Sequence, residues 1–329
     1  MGVKKEAHLV PDIIAKDIKM APTRNGYGEG VILAAEKDED VVVMCADLTD
    51  STRNSAFKEK FPGRFIQMGV HEQLLVAAGA GFAMAGKVPF ITSYAMFVAG
   101  RGWEMIRTNV CLNDVNVNVI GSHAGVSVGP DGATHQAIED IAIMRVIPRM
   151  TVIAPCDAIE ARKATVALLG IKGPTYTRFA REKTPVFTTE ETPFEIGRAE
   201  TFRSGKDVAV IACGPLVHNA LVAAEELEKE GLNVMVVNSH TIKPLDGKAV
   251  EAAARKCGAV VTVEEHQVAG GLGSAVAEHL MKTHPVPMEF IGVQDKFGES
   301  GEPMELVEHF GMGVSHIKAA VKKVHKRKR

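Results

Sequence analysis

Three polar side chains gather in one glycine-rich stretch of this chain. GSHAGVSVGPDGATHQAIEDIAIMR (121–145) sets Ser122 and His123 after an apolar run, then Gly125, Gly129 and Gly132, with Asp131 and His135 among and after them. Glycine lets a loop approach a ligand closely. Loops at the carboxyl ends of parallel strands are where open α/β sheets take their ligands. Two imidazoles and a carboxylate on such a loop suit a polyol or a sugar phosphate. The competing reading is that the histidines only cap strands and helices. A metal is poorly served: His123 and His135 are twelve residues apart across the loop, and no H-x-x-x-H or H-x-H spacing occurs.

A second candidate is Glu72. In FIQMGVHEQLLVAAGAGFAMAG (65–86) it stands between a short strand pattern and a long alanine-rich run. A carboxylate at the junction of a buried strand and a buried helix needs a partner, because an unpaired buried charge is costly.

The elements around these residues alternate. Strand-like runs fall at 41–47, 64–70, 88–94, 115–123, 150–156 and 173–179, with helix-like stretches at 72–85, 97–110, 136–145 and 157–169. The loop helix is expected to open near Thr134. Alternating strands and helices with continuously apolar strands indicate a parallel sheet covered on both faces. Residues 182–206, with two prolines and five threonines, read as a linker ending in an edge strand. The alternation then restarts, with strands at 207–214, 232–239, 259–266 and 287–293 and helices at 215–230, 245–257 and 272–283. The fold class is α/β, with two doubly wound units, the second smaller and mixed. The expected division is residues 1–190, a linker 191–206 and a second unit 207–329.

Composition narrows the function classes. The chain has 329 residues, 46% hydrophobic and 24% charged, with a net charge of −2, so it is no general magnet for nucleic acid. The basic end, KKVHKRKR (322–329), reads as a solvated, frayed terminus. Five cysteines with no C-x-x-C spacing suggest buried thiols in a reducing, cytoplasmic setting. No apolar run approaches the length of a membrane span, and no G-x-x-x-x-G-K-[ST] occurs. VAGGLGSAVAEHL (268–280) lacks G-x-G-x-x-G and reads as a tight loop packing its helix on the sheet.

Four segments in order, DLTDSTRNSAF (47–57), RFIQMGVHEQ (64–73), SYAMF (93–97) and SHAGVSVGPDGATHQAIEDIAIMR (122–145), resemble the transketolase-like thiamine diphosphate enzymes. The resemblance covers nearly the whole chain: a pyrimidine-binding domain, a linker and a C-terminal domain. Complete transketolases also carry a diphosphate-binding domain with a GDG motif, and this chain has no GDG. It therefore resembles the C-terminal subunit of a split transketolase. The resemblance implies thiamine diphosphate, Mg²⁺ or Ca²⁺ held by a separate diphosphate-binding subunit, a two-plus-two assembly, self-association of this chain as a dimer, and ketol transfer between sugar phosphates of the pentose phosphate pathway.

The same resemblance assigns roles. Glu72 matches the glutamate that hydrogen-bonds the cofactor's aminopyrimidine. Tyr94 and Phe97 match the aromatics around that ring, although the family more often has phenylalanine at the first position. His123, Asp131 and His135 match groups on the sugar's carbonyl and hydroxyls, the two histidines counting with Glu72 as catalytic. Arg24, Ser51 and Arg181 match the phosphate-end contacts, with Arg178 a rival for Arg181. Other readings are a 2-oxo acid dehydrogenase beta subunit, a deoxyxylulose-phosphate synthase-like enzyme, and a non-catalytic assembly subunit.

Overall fold

A computed structural model describes residues 2–328. The N-terminal part contributes β1 (Met20–Ala21), β2 (Val41–Cys45), β3 (Phe65–Gln67), β4 (Val88–Tyr94), β5 (Asn118–Ser122), β6 (Thr151–Ile153), β7 (Thr175–Phe179) and β8 (Thr184–Pro185). The C-terminal part contributes β9 (Glu200–Arg203), β10 (Val208–Ala212), β11 (Val234–Asn238), β12 (Thr241–Lys243), β13 (Val260–Gln267) and β14 (Met288–Val293).

Two sheets follow. The first runs β12-β6-β7-β5-β4-β2-β3, parallel throughout except for β12 against β6. The second runs β14-β13-β10-β11-β9, parallel except for the edge strand β9. The chain is α/β, with a mostly parallel sheet and a smaller mixed one, as expected. Strands β2, β5, β7, β10 and β11 are buried along their whole length, which is why β2 (VVVMC) and β10 (VAVIA) read as unbroken apolar runs. One hydrophobic cluster joins Met44, Ile91 and Val152 of the first sheet to Ala209 and Ile211 of the second.

The order places a switch point beside β2. The chain goes from β2 out to the edge strand β3, then returns to β4 on the other side. The loops after β2, β4, β5 and β7 leave the same end of the sheet, the end where such sheets bind ligands.

Several elements differ from expectation. Thr23–Lys37 is a helix in a segment to which the sequence pattern assigned no element. Its glycines serve contact with the helix Ala158–Ala167: a Cβ on Gly26 would lie 2.0 Å from the Ala158 carbonyl oxygen, and one on Gly30 would lie 2.7 Å from Thr165 Cβ. Close packing has overridden weak propensity. The helix expected near Thr134 begins only at Asp140, because residues 133–135 form a turn closed on the Gly132 carbonyl and Ala137 bridges back to Ala124 in the loop. The stretch 97–110 is not one helix. It divides into Ala95–Gly100, Trp103–Met105 and a π-helical turn at Ile106–Leu112. The basic end is not frayed through Lys328: Val314–His325 is helical, Lys322 pairs with Glu230, and Lys323 and Arg327 pair with Glu289. Arg329 lies outside the described residues. All five cysteines are buried free thiols.

Candidate active site

Glu72 is the first residue of the helix Glu72–Met84, where its charge suits the helix N-terminus. It is 1% exposed. The Ser93 hydroxyl donates to its Oε1 at 2.9 Å, and Arg101 Nη1 lies 3.4 Å from Oε2. Arg101 is half exposed, and its guanidinium lies over the Phe97 ring at 4.7 Å. One carboxylate oxygen is thus fixed from within, and the other is paired, at a longer distance, with a half-exposed arginine.

From Phe97 the contacts continue to the histidines. Phe97 meets His135 edge-on at 5.2 Å, and Tyr94 stacks on His123 with centroids 3.9 Å apart. Tyr94 and Phe97 themselves are 6.1 Å apart. His123 holds a left-handed backbone, φ 60°, a strained conformation for a residue with a Cβ. Its Nδ1 is 2.9 Å from Ser122 Oγ and its Nε2 is 3.4 Å from Arg24 Nη1. A guanidinium can only donate, so Nε2 carries the lone pair and Nδ1 the proton. Burial, reinforced by Arg24 and Arg181, pushes the His123 pKa down to about 3, so the ring is neutral. His135 is held at Nδ1 by Thr134 Oγ1, 2.9 Å away.

The arginines complete the cluster. Arg24 Nη1 donates to the Ser51 carbonyl at 2.8 Å, while its buried Nε has no partner. Burial, then Arg53 and Arg181, lower its pKa. Arg181 donates to the Val128 carbonyl at 2.8 Å and pairs with Asp131 at 3.3 Å and Glu182 at 3.3 Å. Crowded guanidiniums with an unused buried N–H make a site that an anion would relieve. Arg178 is elsewhere. It is 8% exposed, pairs with Asp140 at 2.9 Å, and donates to the carbonyls of Glu265 and Ala137.

Glu72, Tyr94, Phe97, His123, His135, Arg24, Ser51, Asp131 and Arg181 are therefore linked by a chain of contacts at one end of the first sheet. Among the described residues no group of three His, Cys, Asp or Glu side chains converges as a metal site. Ser93, Arg53 and Arg101 join the cluster without having been singled out from sequence. Ser93 adjoins Tyr94 in SYAMF and Arg53 follows Ser51 by two, so position beside a candidate was the available signal.

The loop glycines correct one expectation. Their open sides face protein: a Cβ on Gly125 would lie 2.2 Å from Glu265 Oε1, one on Gly129 would lie 3.0 Å from Pro303 Cγ, and one on Gly132 would lie 2.5 Å from Ser300 Oγ. Residues 125–129 also spell G-V-S-V-G, the lettering of a hydrolase nucleophile elbow. Ser127 instead lies in the 3₁₀ turn Val126–Asp131, and its N–H is bound to Glu265. The loop 268–273 is structural as expected: Glu264 accepts from the N–H groups of Leu272 and Gly273.

The transketolase pyrimidine-binding domain family matches residues 19–186, and the transketolase C-terminal domain family matches residues 197–317. The chain belongs to the transketolase family. A solved structure titled "Split gene transketolase, inactive beta4 tetramer" is 42% identical, with a TM-score of 0.88 over 94% of this chain and 99% of that one. The 6-deoxy-6-sulfo-D-fructose transketolase subunit SqwH of Clostridium sp. strain MSTE9 is 40% identical over 93% of this chain and 95% of its own length. Human transketolase is 34% identical over 91% of this chain but only 48% of its own length. Among transketolases, then, this chain corresponds to pyrimidine-binding and C-terminal domains. No helix among the described residues is long and apolar enough to cross a membrane.

Proposed function

We propose that this chain is one subunit of a two-chain transketolase. It would hold the pyrimidine end of thiamine diphosphate and most of the sugar site. A separate subunit would bring the diphosphate and its Mg²⁺ or Ca²⁺, in a two-plus-two assembly whose core is a pair of copies of this chain. The assembly would move a two-carbon ketol unit from a ketose phosphate to an aldose phosphate, in the cytoplasm.

The observation that carries this reading is the state of Glu72: buried, fixed at Oε1 by Ser93, and paired at Oε2 only with the half-exposed Arg101, whose guanidinium lies over Phe97. These residues fit an aminopyrimidine, with Oε2 for a ring nitrogen and the rings of Phe97 and Tyr94 for its surround. When bound, the cofactor supplies an electron sink for breaking a carbon–carbon bond.

The chain's own side chains do the rest. Glu72 holds a proton at the ring nitrogen. Neutral His123 would accept from a sugar hydroxyl at Nε2, in place of its long contact with Arg24 Nη1. His135 and Asp131 bind and relay protons at the carbonyl and hydroxyls. Arg24 and Arg181, with Ser51, take the phosphate, Arg24 through the Nε–H that has no partner. Arg178 is occupied in the core and is not proposed as a phosphate ligand. The split-gene transketolase described as an inactive beta4 tetramer, and the half-length match to human transketolase, both favour two chains.

The deciding experiment assays xylulose 5-phosphate with ribose 5-phosphate, using this chain alone and then with its cognate diphosphate-binding subunit, cofactor and Mg²⁺. Ketol transfer should need both chains. Full activity from this chain alone would sink the two-chain reading, and an inactive mixture with every ketose phosphate tried would sink the reaction.

A further inference from the structure

Loop 123–132 carries His123 and Asp131, yet its only regular structure is the 3₁₀ turn Val126–Asp131, broken at Gly129. Its position is set from outside. Glu265, at the carboxyl end of β13 and 5% exposed, accepts from the Ser127 N–H at 2.6 Å. Gly125, with φ 87°, leaves the space that this carboxylate fills. Gln136 Nε2 reaches three carbonyls, Val126 at 3.0 Å and Gly129 at 3.3 Å in the loop, and Glu299 at 2.8 Å in the C-terminal domain. Gly129 and Gly132 abut Pro303 and Ser300. The stem is held too, where Gln267 N–H donates to the Ile138 carbonyl at 2.8 Å and Arg178 ties the Glu265 carbonyl to that of Ala137.

We propose that the C-terminal domain sets the conformation of the sugar-binding loop, with Glu265 as the positioning residue that fixes Ser127 and thereby His123 and Asp131. The word sugar rests on the function proposed above; the clamp itself does not. Glu265 touches no ligand. It acts through a backbone amide, and it needs the length of a glutamate and an acceptor oxygen at its end. A buried hydrogen bond of this kind is costly to lose, because removing the acceptor leaves the amide without a partner. This gives the C-terminal domain a part in the site although it contributes none of the residues proposed to touch cofactor or sugar.

Two measurements test it. The first is amide hydrogen exchange on the isolated full chain, which needs no activity. Glu265→Ala should speed exchange at residues 125–132 by about tenfold or more, while β10 and the helix Leu216–Lys229 keep their protection. Glu265→Gln, which keeps length and acceptor, should retain loop protection, and Glu265→Asp, one methylene shorter, should lose it. If the alanine variant does not fold, the Asp and Gln pair decides. Unchanged exchange in the loop, loosening spread evenly over the C-terminal domain, or an Asp variant as protected as the wild type overturns the proposal.

The second uses the two-chain complex. Glu265→Asp should raise KM for the ketose phosphate about tenfold, since small misplacement of binding groups is costly, and should leave the cofactor concentration for half-activation unchanged. An unchanged KM, or equal loss toward cofactor and sugar, also overturns it. Should the complex prove inactive with every sugar, the exchange result still stands or falls alone, which separates this inference from the proposed reaction.

Discussion

Ser93 Oγ, near the end of β4, donates at 2.9 Å to Oε1 of Glu72, the first residue of the helix that follows β3. The two strands flank β2 on opposite sides, so the bond closes across the switch point of the sheet. Glu72→Gln keeps shape and burial but cannot hold the proton that the proposed role requires. In the two-chain complex it is expected to lower kcat at least about 100-fold while leaving assembly and Tm near those of the wild type. A variant of near-normal rate would remove Glu72 from the mechanism.

Arg178 and Arg181 should part company on substitution. Arg178→Ala leaves Asp140 buried without its cation and is expected to cost about 3–5 kcal/mol of stability, read from denaturant midpoints. Arg181→Ala, at a partly exposed position, should leave stability within about 1 kcal/mol. In the active complex it should raise KM for phosphorylated sugars by about 10–100-fold, the worth of a charge-assisted hydrogen bond. The reverse pattern would exchange their assignments.

Gly26 faces backbone, not solvent. Gly26→Ala puts a methyl group 2.0 Å from the Ala158 oxygen and must push apart the two helices that meet there. A loss of about 1–3 kcal/mol is expected from overpacking, with a raised KM because Arg24 rides on the displaced helix. A Gly26→Ala protein as stable as the wild type would contradict the packing described.

Stability should fall steeply in acid. Burial pushes His123 and His240 down from 6.5 to about 3, and pushes Glu160 and Glu264 up from 4.5 to about 7. Between pH 4.5 and 6.5 the two pairs oppose each other: on unfolding, the histidines take up protons and the glutamates release them. Below pH 4.5 these glutamates are protonated in both states. The histidines alone then favour the unfolded chain as the pH falls toward 3, by at most about 1.4 kcal/mol per pH unit each. His240, stacked on Phe194 at 4.3 Å, is clear of the proposed catalytic cluster. Urea midpoints from pH 7 to 3.5 should show the fall, and His240→Gln should flatten it. An identical acid slope in that variant would refute the assignment.

The sequence and the structure agree where one signal dominates. Unbroken apolar runs placed Val41–Cys45 and Val208–Ala212 within a residue or two at each end, because strands buried on both faces favour such runs. The cluster around Glu72, His123 and His135 was legible as a family pattern of ordered segments. What escaped depended on distant residues. The helix Thr23–Lys37 is glycine-rich because another helix presses on it, and no local rule shows that. Residues 134–139 fail to start a helix because Gly125 N–H binds the Ala137 carbonyl and Gln136 reaches across to Glu299. The glycines of the loop looked suited to a ligand, but the neighbours that fill their space, Glu265, Pro303 and Ser300, lie more than a hundred residues away in sequence.

β12 binds the two parts of the chain in a way their separate sheets hide. Thr241–Lys243 leaves the second unit and closes the outer edge of β6, antiparallel. Lys243 Nζ then crosses to the carbonyls of Arg145 and Ile147. A fragment ending at the linker would carry β6 as a bare edge, with its N–H and C=O groups free to template pairing with another fragment. Cutting between the units would therefore yield a sticky N-terminal piece, so expression of the pyrimidine-binding domain by itself calls for a grafted edge strand or a charged substitution along β6.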